Sequence, residues 1–307
     1  MNLKWKKIAL YLAFAYGFSW LVAFVLWVYG LTLSSLPAII LVGVFYMGGP
    51  ALATWIVQKR IYREPLSTYG WAFDGRTKSW LWRTPLLFLV LLGFTFAVIA
   101  LMGNTGLAPA FGHVDFSTQT FAERLGALVA AKTGREVPAS LPEISPVVLL
   151  LVFLLQGIIA GSTVNLPFMF GEELGWRGLL FHETKPMGFW VSNGFIGVVW
   201  GLWHLPIILL GHNYPNHPIL GVGLMCLFTT ALCPLFAYVR YQSGSLLAPC
   251  MLHGMINATN AIFVLYVANY GELYSSLAGF AGVIACVVIT GLIFVFDKSF
   301  AAVVFSK

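Results

Sequence analysis

Eight apolar stretches limit this chain to very few folds. They lie near residues 8–29, 36–58, 84–102, 147–170, 187–210, 219–239, 246–268 and 276–296. Each holds about 20 residues, enough to cross ~30 Å of hydrocarbon as a helix rising 1.5 Å per residue. Inside a bilayer every backbone N–H and C=O must find a partner within the protein, so spanning segments are helices or closed barrels, and runs of this length suit helices. Only 9% of the 307 residues are charged, against about 25% in a soluble domain. The expectation is an all-α polytopic membrane bundle of about eight transmembrane helices, forming a single domain over 1–307. The lipid bilayer is its first partner. The formal net charge of +6 belongs to residues flanking the apolar runs, which fits a membrane surface and not nucleic acid.

Those flanking cations also orient the chain. With the N-terminus in the cytoplasm, fourteen of the seventeen Lys and Arg fall inside, and only Arg124, Lys132 and Arg135 fall outside. The positive-inside rule then predicts a multi-pass protein of the cell membrane with both termini cytoplasmic. The basic start, Asn2 to Lys7, leads into a run long enough to span and without a small-residue cleavage site, so no cleavable signal peptide is expected. In the 103–146 loop, Phe116 to Lys132 reads as a short surface helix. Trp71, Trp80 and Trp82 in the 59–83 loop read as headgroup anchors. Cys226, Cys233, Cys250 and Cys286 lie in apolar runs without metal-ligand spacing and read as core.

Ionisable groups in membrane segments cost enough to mark function by default. They concentrate in the second half of the chain. In Gly171-Glu172-Glu173-Leu174-Gly175-Trp176-Arg177-Gly178, Glu173 and Arg177 are i,i+4 in the order that favours an ion pair. Glu172 points about 100° away and remains as a spare carboxylate, which a general base requires. Gly171 and Gly175 allow another helix to approach closely. In Trp200-Gly201-Leu202-Trp203-His204-Leu205-Pro206, His204 follows Trp200 by one turn, and counting from the turn near residue 186 puts Glu172 and His204 at similar heights across a hairpin. In His253-Gly254-Met255-Ile256-Asn257, His253 and Asn257 share a face, with Gly254 expected to keep the surface beside them open. Together these spacings suggest a site in the cytoplasmic third of the membrane, reached by water from inside. His212 and His217 fall on an outer loop and are set apart from it.

The three motifs, Glu172-Glu173-xxx-Arg177, Trp200-xxx-His204 and His253-xxx-Asn257, in this order and over about 147–265, resemble the signature of the CPBP (ABI) family. That family comprises CaaX prenyl endopeptidases and bacteriocin-processing relatives, which are intramembrane glutamic-type proteases. The resemblance implies that Glu172, with His204, activates a water. It implies that His253 and Asn257 bind the carbonyl oxygen as it becomes an oxyanion, while Glu173 and Arg177 hold the scaffold. No Ser or Cys in the motifs offers a nucleophile, which agrees with direct water attack. The implied substrate is a peptide or membrane protein, and no cofactor is implied. Trp200 stands where Phe is commoner, with little effect expected. Two alternatives remain on sequence grounds: zinc hydrolysis using Glu172, His204 and His253 as ligands, or a non-catalytic bacteriocin-immunity or regulatory role. A proton-relay transporter is a further reading, although no inverted repeat is visible.

Overall fold

The computed structural model describes residues 3–70, 72–134 and 145–305. Trp71 and the 135–144 part of the long loop lie outside the described residues, as does Arg135. The chain is 78% helical, with one small antiparallel pair of strands, β1 (His113–Val114) and β2 (Val267–Ala268). The helices are α1 (Trp5–Val28), α2 (Leu36–Ile61), α3 (Gly75–Asn104), α4 (Thr118–Thr133), α5 (Pro146–Ser162), α6 (Leu166–Glu183), α7 (Phe189–Trp203), α8 (Leu205–Leu209), α9 (Pro218–Ser243), α10 (Leu247–Ala258), α11 (Ala261–Tyr266), α12 (Phe280–Phe296) and α13 (Lys298–Phe305).

Among the described residues five helical segments are long and apolar enough to cross a membrane: α1, α2, α3, α9 and the α10–α11 run. Two bent pairs, α5–α6 and α12–α13, raise the number to seven if each counts as one span. The eighth expected span is shorter. α7 has 15 residues, about 22 Å at 1.5 Å per residue, because the chain turns before Pro206. α3 starts nine residues before its expected boundary. Asp74 caps it by accepting a hydrogen bond from the Thr77 N–H, so the charged stretch Arg76 to Arg83 is helix and not loop. The helix expected near Phe116 is α4, and Phe121 on it packs against Tyr266.

The two ends of the bundle are distinct. At one end, Lys7 is fully buried and bonds Glu183 at 2.7 Å and Glu64 at 2.6 Å. This proximity holds the Glu64 carboxyl below its ordinary range, the Lys7 hydrogen bond being the largest cause. Arg240 reaches the Tyr69 carbonyl at 2.6 Å, and the Leu246 N–H bonds the Gly70 carbonyl. The start of α1 and the 62–70, 184–188 and 244–246 connections therefore gather there. At the other end β1 pairs with β2, Tyr214 donates to the Ala278 carbonyl, and Asn216 and His217 bond Glu272.

α5 and α6 meet at 59° around Thr163–Asn165. Small residues fix this elbow. A Cβ on Gly161 would come within 2.3 Å of the Met255 nitrogen, and one on Gly254 within 2.6 Å of the Gly161 carbonyl oxygen. Asn165 Nδ2 donates to the Gly254 carbonyl at 3.0 Å. Gly254 thus brings α10 against the elbow and does not keep a surface open. Gly171 and Gly175 act as expected: Gly171 faces Met47 and Gly48, and Gly175 faces Tyr11 and Pro50. Overpacking a close backbone contact costs about 1–3 kcal/mol. Gly161→Ala should lower the thermal midpoint in detergent, whereas Gly194→Ala, with open space around its Cβ position, should leave it level or raise it.

Candidate active site

The acidic pair sits on α6 where the backbone changes from α-helix to a π-helical turn over Leu174–Leu180. Such turns recur at functional sites. All residues from Gly171 to Leu180 are buried. Glu173 Oε1 accepts from Arg177 Nη1 at 3.1 Å, the expected pairing. It also lies 2.9 Å from His253 Nδ1, which the sequence did not foretell. Since a carboxylate oxygen accepts, the Nδ1 of His253 carries the proton of this bond. The Arg177 guanidinium carbon lies 4.1 Å from the ring centres of both Trp200 and Phe236, which meet edge to face beside it. Cation–π contact of this kind offsets part of the cost of a buried cation.

Trp200 is the hub. Its indole Nε1–H donates to Glu172 Oε2 at 3.1 Å. Its face covers Arg177, and its edge meets the His253 ring, with centroids 5.3 Å apart. Its carbonyl oxygen takes the Nδ1–H of His204 at 2.9 Å. The α-helical ladder stops at Trp203, and a new helix starts at Leu205 with Pro206 in its first turn, where a missing N–H costs nothing. The His204 N–H then bonds Gly201 instead of Trp200. The freed Trp200 carbonyl fixes the imidazole, and because a carbonyl only accepts, Nδ1 is the protonated nitrogen and Nε2 keeps its lone pair when the ring is neutral. Further support comes from the first two helices. Trp20 Nε1 donates to the Trp203 carbonyl at 3.1 Å, Tyr46 O–H donates to the same oxygen, and Tyr16 O–H donates to the Val199 carbonyl.

Glu172, His204, His253 and Asn257 line one cavity of about 190 Å³, room for several waters at ~30 Å³ each. The four expected catalytic residues are therefore together. Glu172 bonds neither histidine directly; Trp200 lies between them as a shared partner. Trp200 is thus more than an aromatic spacer, since a phenylalanine there could not donate to Glu172. Asn257 Nδ2 lies 3.4 Å from Met169 Sδ. Among the described residues no three His, Cys, Asp or Glu side chains come together as a metal-ligand set.

Burial falls steadily across the cavity. Glu172 and His253 are 2% and 5% exposed and form the floor. Asn257 and Asn260 are exposed, and Asn213 is partly so. These asparagines, with His212, Leu277 and Ala278, form the upper wall. The cavity therefore opens at the end carrying the 210–217 and 269–279 connections, opposite the Lys7–Glu183 end. Counting residues from the hairpin turn favoured the other end, because it treated α5–α6 and α7–α8 as straight rods. His212, set apart on sequence grounds, belongs to the wall, with its ring 6.5 Å from that of His204 and nearly parallel. Pro206 was the available signal: a span ending at His204 folds the next eight residues back over the site. Tyr46 and Trp203 also line the cavity, and nothing in their spacing announced it. His217 bonds Glu272 and stays away from the site.

The family model for the Rce1-like type II CAAX prenyl endopeptidases matches residues 143–259. The segment that resembles this family of endopeptidases carries Glu172, Glu173, Arg177, Trp200, His204, His253 and Asn257. No curated protein and no solved structure matches the chain. Helices α1 to α3 lie outside the matched segment, as do Asn260, Leu277 and Ala278 of the cavity wall. With several apolar helices besides, the chain reads as a multi-pass membrane protein.

The two adjacent acids should behave differently. Removing one partner of a buried ion pair costs about 3–5 kcal/mol. Glu173→Gln leaves Arg177 without its carboxylate and should lower the thermal midpoint sharply. Glu172→Gln keeps an acceptor for the Trp200 N–H and should change it little.

Proposed function

We propose that the protein is an intramembrane glutamic-type endopeptidase that hydrolyses peptide bonds with water activated by Glu172 and His204. The observation that carries this reading is the convergence of Glu172, His204, His253 and Asn257 on one cavity, with the first three each oriented by a bond from a neighbouring residue. The substrate carbonyl enters between Glu172 on one side and His253 with Asn257 on the other. The Glu172 carboxylate takes a proton from water as the water oxygen bonds to the carbonyl carbon. The carbonyl oxygen becomes an oxyanion, and Asn257 Nδ2 and His253 Nε2 donate to it. Nδ1 of His253 is already committed to Glu173, so donation through Nε2 makes the ring an imidazolium. The Glu173 carboxylate faces that charge. When the C–N bond breaks, the amine takes the proton from Glu172, relayed by His204 Nε2, and the free acid and amine leave.

Fixed donors aimed at a developing oxyanion are worth about 10²–10³ in rate each. Glu173, bonded through Oε1 to both Arg177 and His253, stands behind the imidazole at the floor. The chemistry needs no metal, and the protein sits in the cell membrane with both termini cytoplasmic. Its substrates are peptides or membrane-protein segments.

Comparison of membrane-protein termini in wild-type and Glu172→Gln cells tests this directly. We expect a set of new ends that disappears in the variant. Identical sets of ends would remove the proteolytic reading in favour of a binding or immunity role. Purified protein treated with a chelator should cleave as fast as untreated protein; loss of activity restored by zinc would assign the same residues to a metal.

Trp200→Phe isolates the indole bond. A hydrogen bond to a charged group is worth about 1.5–3 kcal/mol. The variant should lose ~10–100-fold in kcat with little change in KM, since the ring still covers Arg177.

A further inference from the structure

A second cavity, of about 360 Å³, lies at the Lys7–Glu183 end of the bundle. Among the described residues its lining has none in common with the catalytic cavity. Four parts of the chain enclose it: the end of α6 with the turn that follows, the first turn of α7, the last turn of α9, and α13. α13 leaves α12 at 98°, so it runs across the end of the bundle instead of continuing through it. Asp297 fixes that corner. Its carboxylate accepts from the Ser299, Tyr238 and Gln242 side chains and from the Phe300 N–H. Phe300 is buried against Phe189, Tyr238 and Tyr241 and closes one wall.

The charge in this cavity has one sign. Among the described residues Lys185 and Arg240 line it, and no Asp or Glu does. Nearby acids are engaged elsewhere: Glu183 bonds Lys7, and Asp297 has the four bonds just named. Arg240 is half-buried. Its Nε and Nη2 donate to the Arg177 and Tyr69 carbonyls at 3.4 and 2.6 Å, which position the guanidinium without supplying a countercharge. Arg76 brings a third cation close by. A Cβ on Gly244, which lines the cavity, would come within 2.5 Å of its Nη2, and its pairing with Asp74 is loose, at 3.8 Å. Much of the remaining wall is apolar, with Phe181, Phe189, Val303 and Val304. From Phe189 an exposed apolar face continues along α7 through Trp190, Val191 and Val198.

We propose that this cavity binds the anionic headgroup of a membrane phospholipid, with its phosphate at Lys185 and Arg240 and an acyl chain along the exposed face of α7. A partly desolvated cation without a carboxylate is costly, and a phosphate oxygen is the acceptor a guanidinium matches best. Basic pockets between membrane helices hold anionic headgroups in this way. A helix laid across the end of a bundle sits at headgroup depth. A free phosphate would satisfy the cations and leave the aromatic wall in water; an uncharged lipid would do the reverse. The assignment does not depend on the reaction at the catalytic cavity.

Delipidated protein in a neutral detergent tests this by native mass spectrometry and thermal midpoint. The additions are dioleoylphosphatidylglycerol, dioleoylphosphatidylcholine, glycerol phosphate and inorganic phosphate. One phosphatidylglycerol per chain should be retained most strongly, and it should raise the midpoint more than phosphatidylcholine does. The two tail-less anions at the same concentration should leave the midpoint level. Lys185→Glu should weaken retention about tenfold or more, since it removes one attraction and adds one repulsion at the headgroup. Val304→Glu puts a carboxylate in the wall with both cations intact and should act in the same direction. Lys59→Glu, at an exposed cation outside the cavity, should retain the lipid as the parent does. Equal retention of the two lipids, or unchanged retention in both cavity variants, would overturn the proposal. So would a loss in Lys59→Glu as large as that in Lys185→Glu, which would reduce the binding to general attraction of anionic lipid. Stabilisation by inorganic phosphate equal to that by phosphatidylglycerol would overturn the lipid assignment in favour of a small-anion site.

Discussion

Everything at the site depends on one buried carboxylate serving two partners. Glu173 is fully buried, and its Oε1 meets both Arg177 and His253. Arg177 in turn lies against Trp200 and Phe236. The charge that makes burial of Glu173 tolerable is therefore also in contact with the indole whose N–H holds Glu172. A low-dielectric interior strengthens each of these contacts and makes each vacancy costly. Glu173, Arg177, His253, Trp200 and Glu172 are thus linked through shared contacts.

Much of this was legible from the sequence. The i,i+4 spacing of Glu173 and Arg177 fixed a shared face that survives the change to a π-helical turn. The same spacing in His253 and Asn257 put both on the cavity. Glycines at 171 and 175 announced close helix contact, and they have it. The membrane class followed from apolar run length alone. The family match spans all three motifs, and the cavity collects their residues from α6, α7, the His204 junction and α10.

The rest was hidden for identifiable reasons. Hydropathy sees length and not direction, so the 59° elbow at Thr163–Asn165 and the stop before Pro206 read as uninterrupted spans. Straight rods put the site nearer the basic end and sent His212 away. The bond between Trp200 and Glu172 joins residues 28 positions apart, beyond any periodic signal. A tryptophan in place of the commoner aromatic looked like a neutral exchange because its extra N–H matters only once its neighbour is known. Gly254 was read for what it leaves empty, while the neighbouring Gly161 backbone fills that space.

Tyr16, Trp20 and Tyr46 belong to the part of the chain that the family match does not reach, yet they bind the Val199 and Trp203 carbonyls near the end of α7. These three side chains work as splints on a broken helix. A transplant of residues 143–259 into a foreign bundle would bring along every charge of the motif and none of the splints. The end of α7 would be free to re-form or fray, and His204 would lose the carbonyl that aims it. The modular unit in this protein is therefore larger than its signature.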